Sequence, residues 1–193
     1  MPQTSKTAVK PKAQKKGKEK RVKANKSSKP DKFGTSAPAR DAIDLLKSDH
    51  REVEKLFEQF ESARGNADKR KIANAICVAL KVHARLEEEI FYPAAYSALD
   101  DKSLIQEAQV EHASAKDLIA QIESGAPGEA FYEARVKVLA EYIDHHVTEE
   151  EDEMFPRCRD SKMDLTAVGA TLAMRKQELM TGFLVSNPIL ALS

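Results

Sequence analysis

The residues best suited to chemistry are histidines and glutamates that recur at helical spacing. His50, His83, His112 and His146 each fall on a separate apolar stripe, and Glu87 and Glu150 follow His83 and His146 four residues on. Side chains at i and i+4 stack along one face of a helix, so each pair presents an imidazole and a carboxylate to the same neighbours. Six polar groups thereby converge on a core otherwise made of Ile, Leu, Val, Phe and Ala. Burying an ionised carboxylate without compensation is very costly, and no Lys or Arg recurs on the stripes to neutralise these two. A lone histidine on an apolar stripe is ordinarily a hydrogen-bonded core residue. One on each of four stripes, with two matched His-x-x-x-Glu pairs, points to metal. Imidazole and carboxylate without thiolate favour iron or manganese, with zinc as an alternative.

A repeat sets the register among the acids. HARLEEEIFYP (83–93) and HVTEEEDEMFP (146–156) run at equal length from His through an acid cluster to an aromatic-Pro ending. Aligned, they place His83 with His146, Glu87 with Glu150 and Pro93 with Pro156. Glu88, Glu89, Glu149 and Glu151 then point off the stripes and are expected to be solvated. His145 is also off its stripe and is expected at the surface or in a supporting role, not as a ligand. Asp49 and Glu111 directly precede a histidine and face about 100° away from it, which predicts solvated or capping roles.

Helices must position these groups. Ile43, Leu46, His50, Val53, Phe57 and Phe60 form the first stripe, ending near Gly65-Asn66. The second carries Ile72, Ile76, Ala79, His83, Glu87 and Ile90. Ser103 with Gln106 resembles a capping box and opens a third, with Ile105, Ala108, His112, Ala115, Ile119 and Ile122. After Gly125-Ala-Pro-Gly128 a fourth carries Val136, Leu139, Ile143, His146 and Glu150, then Met154. Strand signals are absent. The expectation is an all-α, up-down-up-down four-helix bundle over 39–160, a common frame for dinuclear carboxylate sites. A further helix follows in 161–193, with Leu165, Val168, Leu172, Met174 and Leu179 as its apolar pattern, and is expected to pack outside the bundle or to extend it.

The net charge of +0 conceals an asymmetry: residues 1–36 hold twelve Lys or Arg against two acids, and the remainder 19 against 29. Such a Lys-, Ser- and Pro-rich segment cannot offset its ordering entropy by burial, so 1–38 reads as a disordered basic arm. It is either a polyanion-binding segment, with nucleic acid as the partner, or a solubilising tail. Cys77 and Cys158 are far apart without a paired motif, which argues against a disulfide framework or a thiolate zinc site. No apolar run reaches the roughly 20 residues of a membrane span, and the basic N-terminus lacks the apolar core of a secretory signal. A cytoplasmic location is expected.

These motifs resemble the hemerythrin family, in its bacterial HHE cation-binding branch. DHREVEKLFEQFE (49–61), HARLEEEIFYP, EHASAKDLI (111–119) and HHVTEEEDEMFP (145–156) carry the resemblance. MDLTAVGATLAMRKQEL (163–179) is similar to the C-terminal segment of bacterial members. The resemblance spans 41–181 and leaves the arm outside. It implies a non-haem di-iron centre with His50, His83, His112 and His146 as terminal ligands and Glu87 and Glu150 as bridges, open to O2, NO or peroxide. One departure is Lys116, which stands where oxygen-carrying members have a fifth histidine, four residues after His112. Lys116 is expected at the rim of the site or snorkelling to water, and Tyr142 as a partly buried residue or a supporting hydrogen-bond donor. The chain is thus expected to bind or sense a small ligand, or to handle iron under oxidative stress. A di-iron enzyme acting on peroxide or nitric oxide, and a DNA-associated protein docking through residues 1–36, are the alternatives.

Overall fold

A computed structural model describes residues 41–186; the basic arm expected over 1–38 lies outside the described residues. Every regular element in that span is helical: α1 (Ala42–Ser62), α2 (Asn66–Leu86), α3 (Tyr92–Ala98), α4 (Ser103–Ser124), α5 (Tyr132–Glu149), α6 (Phe155–Asp160) and α7 (Leu165–Ser186). Asp41 caps α1, its carboxylate accepting the Asp44 N–H at 2.9 Å. The expected capping box at α4 does not form. Ser103 lies inside the helix, and its N–H and hydroxyl both donate to Asp101, a stronger acceptor two residues upstream.

Two π-helical turns, Glu87–Phe91 and Glu150–Met154, fuse α2 to α3 and α5 to α6. Each is followed in the next helix by a proline, Pro93 or Pro156. Proline has no N–H for the carbonyl four residues back, and its ring crowds that carbonyl. Widening the turn relieves both problems. In an ordinary helix a residue five positions on lies about 140° round the axis. Here the N–H of Tyr92 bonds to the carbonyl of Glu87, and that of Phe155 to the carbonyl of Glu150. Each aromatic ring is therefore carried back over the face that bears the glutamate.

α1 and α2 pack together, as do α4 and α5, and the two pairs close a four-helix ring through α2–α4 and α1–α5. α7 lies across α1 and α2. The third stripe is buried throughout, whereas Phe57 of the first is half-buried. On α2 burial spreads beyond the expected stripe to Ala73, Leu80, Val82 and Leu86, leaving Ile72, Ala79 and Ile90 half-buried. Val82 and Leu86 are buried with Leu172 and Leu179 of α7, which covers a second face of α2, whereas Ala73 and Leu80 join the core shared with α1, α4 and α5. Within α7, Leu172 and Leu179 are buried and Met174 is exposed. The apolar core divides into two clusters. One contains Leu46, Leu86, Phe91, Met154 and Phe155; the other contains Val53, Leu80, Ala115, Ile119 and Leu139. The histidines and glutamates form a polar layer between them. No described helix is long and apolar enough to cross a membrane.

Candidate metal centre

All six residues singled out at that layer are buried: His50, His83, Glu87, His112, His146 and Glu150. The rings meet in pairs. His50 Nε2 lies 3.1 Å from His83 Nε2, and His112 Nε2 lies 3.2 Å from His146 Nε2. Glu87 reaches both pairs, with Oε1 3.1 Å from His83 Nε2 and Oε2 3.3 Å from His112 Nε2. Glu150 Oε2 lies 3.4 Å from His50 Nε2 and 3.6 Å from His146 Nε2. Glu87 Oε1 and Glu150 Oε2 are nonetheless buried without a hydrogen bond of good geometry. Nitrogen facing nitrogen, beside carboxylate oxygens lacking donors, is poor packing for a core left to itself. It is the donor set a cation would satisfy.

A carboxylate stands behind every ring. Glu151 accepts from His50 Nδ1 at 2.9 Å, Glu88 from His112 Nδ1 at 2.9 Å and Glu111 from His146 Nδ1 at 2.7 Å, while Asp49 faces His83 Nδ1 across 3.6 Å. An ionised carboxylate only accepts, so the Nδ1 atoms bonded to one carry the proton and their Nε2 lone pairs turn inward. The expectation that Glu88, Glu151, Asp49 and Glu111 are solvated or capping is therefore corrected. Each serves a histidine on another helix, a neighbour that the angular spacing along a single helix does not register. Asp49 and Glu111 hold the histidine of their own half (α1–α2 or α4–α5), whereas Glu88 and Glu151 reach across to the other half. Glu89 does behave as a surface residue, pairing with Arg175.

These contacts set the charges. Burial alone would raise the pKa of Glu87, but His83 and His112 hold it well below the usual carboxylate range. Burial alone would lower that of His83, yet Glu87, Asp49 and Glu150 raise it to about 10. Burial opposes ionisation of Glu151 as well, but Arg51, His50 and Lys47 bring it down to about 2. Lys116 bonds both oxygens of Glu88 and so steadies the carboxylate behind His112.

Tyr92, which no stripe or His-x-x-x-Glu pair marks, is buried against the same groups. Its hydroxyl donates to Glu150 Oε1 at 2.9 Å and lies 3.3 Å from His112 Nε2 and 3.5 Å from Glu87 Oε2. Burial and the two glutamates push its pKa well above 10, so it stays a neutral phenol. Its counterpart Phe155 instead stacks on His50, with centroids 5.8 Å apart and planes within 9°. The repeat offered the signal, since Tyr92 and Phe155 occupy matched positions. Tyr142, by contrast, is 41% exposed. His145 is exposed too and bonds no buried ring.

All four site histidines line a small cavity of about 30 Å³, whose other walls include Val53, Leu80, Ala115, Ile119 and Ile143. A space needs only some 10–15 Å³ by such a measure to hold a water, so a molecule of two or three atoms fits. Lys81 and Lys116 also line it.

Comparison with known proteins agrees with this geometry. Residues 41–158 match the family model of the hemerythrin HHE cation binding domain. A solved Mycobacterium kansasii protein containing that domain superposes with a TM-score of 0.67 at 21% identity, over 77% of this chain and 93% of its own. A protein described as a DNA nickase, from Nostoc sp. strain PCC 7120, is 29% identical over 118 residues, 61% of this chain. The match spans only 33% of that relative's length.

Proposed function

This chain belongs to the hemerythrin HHE cation binding domain family, and from that premise we propose that it is a non-haem di-iron protein. It binds or senses dioxygen or a related small ligand, or handles iron under oxidative stress. On this reading His50 and His83 would hold one ion and His112 and His146 the other, with Glu87 and Glu150 as the carboxylate ligands. The observation that carries it is the pair of buried carboxylate oxygens, Glu87 Oε1 and Glu150 Oε2, which lack hydrogen bonds while facing imidazole nitrogens. When bound, iron supplies positions at which a diatomic ligand is held and electrons are exchanged. The protein's own part is to turn four Nε2 atoms inward and to keep a cavity of diatomic size against them. Tyr92 aims a neutral O–H at Glu150 and His112.

Metal analysis after anaerobic iron loading tests the reading, with about two irons per chain expected for a dinuclear bundle site. His83→Ala and Glu150→Ala should abolish loading, whereas His145→Ala should not. A single zinc per chain after iron loading would defeat the di-iron assignment. Optical spectra of the loaded protein with and without oxygen read ligand binding. Turnover assays with peroxide and nitric oxide separate an enzyme from a binding or sensing protein.

Association with DNA is a second reading. It is favoured by the twelve basic residues of 1–36 and by the relative described as a DNA nickase. A chain starting at Pro38 should lose salt-sensitive DNA affinity, because each phosphate neutralised by Lys releases a counterion. Unchanged binding would remove this reading.

A further inference from the structure

The four carboxylates behind the site histidines do not all have the same outer partner. Asp49 is paired with Lys176 at 2.6 Å, Glu88 with Lys116, and Glu151 with Arg51 and Lys47. Glu111 has no Lys or Arg partner among the described residues. Its Oε1 faces His145 Nε2 at 3.7 Å, and Glu149 Oε1 lies 3.3 Å from the same nitrogen. His145 and Glu149 are spaced i, i+4 on α5, and Glu111 comes from α4. The three donor atoms lie within 4.8 Å of one another, with His145 exposed and the two carboxylates half-buried.

The internal repeat shows what this corner lacks. Its counterparts in the first half are Asp49 for Glu111, Val82 for His145 and Leu86 for Glu149. Val82 and Leu86 are buried with Leu172 and Leu179 of α7, and α7 also delivers Lys176 to Asp49. In the second half the apolar pair is replaced by an imidazole and a carboxylate, and the lysine has no counterpart. We propose that Glu111, His145 and Glu149 form an outer divalent-cation site, in which the cation takes the place that Lys176 fills in the other half. Two carboxylates and one imidazole, open on the solvent side, suit a first-row divalent ion such as Mn²⁺ or Fe²⁺ with water completing its shell. Glu111 joins this site to the interior: its Oε2 holds His146 Nδ1 while its Oε1 faces the outer ion.

The test is Mn²⁺ titration of the iron-loaded chain, followed by the loss of the free-ion EPR signal. Mn²⁺ stands below Fe²⁺ in affinity for shared ligands, so it should leave the interior iron in place and report about one additional ion per chain. His145→Ala and Glu149→Gln should each lose that ion with iron content unchanged. Absence of Mn²⁺ binding to the wild-type chain, or equal binding by His145→Ala, would overturn the proposal. Iron content, read in the same samples, reports the interior separately. If iron fails to load, the difference in Mn²⁺ uptake between wild type and His145→Ala still decides the outer site.

Discussion

Tyr92 and Phe155 are one matched pair of residues at which the two halves of the repeated centre differ. The phenol donates to Glu150 and approaches His112, while the matched phenyl ring only stacks on His50. Tyr92→Phe should leave folding and total metal content intact, because both helices keep their packing. It frees Glu150 Oε1, however, and a lost outer hydrogen bond commonly weakens metal affinity by about 10–100-fold. Competition with a chelator should therefore show one of two ions leaving earlier than in wild type; superimposable release curves would refute the role. The two thiols make the opposite case. Burial raises Cys77 to about 12 and Cys158 to about 11, and both are free cysteines. Thiolate is the reactive form, so alkylating reagents should label neither at neutral pH until the chain is unfolded.

The elements explain why part of the centre was legible in the sequence and part was not. His50, His83, His112 and His146 were readable because each lies on a stripe of ordinary helical period, and Glu87 and Glu150 because the repeat fixed their register. Glu88 and Glu151 were not, since their partners lie on other helices and a period says nothing of neighbours across a bundle. Tyr92 was hidden by the π turn, which brings a residue five positions on back toward Glu87. The aromatic-Pro ending of both repeats was the visible trace of that turn. α7 was anticipated as a helix, but the ion pair it supplies was not. Lys176→Met should remove the cation from a largely buried Asp49 and cost about 1.5–3 kcal/mol, the range for hydrogen bonds to charged groups. Arg175→Ala, one residue earlier, breaks an exposed, solvent-screened pair with Glu89 and should shift stability far less. Thermal melts of the two variants separate them, and equal shifts would mean that α7 does not hold Asp49 in this way.

Across the whole molecule the two halves exchange carboxylates, so protonation at one ring is felt throughout the polar layer. Without metal, His83 Nε2 faces His50 Nε2 and Glu87, and its pKa is raised to about 10. His112 is raised as well, Glu87 and Glu88 outweighing the burial that opposes its charge. A histidine whose folded pKa is raised contributes stability that is fully present below the unfolded value, near 6.5, and is lost as pH rises through the folded value, about 10. Glu151 acts in the opposite sense: its contribution is present above 4.5 and disappears as pH falls through about 2. The metal-free chain should therefore melt at its highest temperature between these limits and lose stability toward pH 10. Metal binding needs the neutral ring, so loading at neutral pH must expel the proton of His83. Metal affinity should then fall about tenfold per pH unit for each proton displaced as pH drops from 8 to 6. Calorimetric titration in two buffers of different ionisation enthalpy measures that release directly. Identical heats in the two buffers would show that the rings are already neutral before the metal arrives.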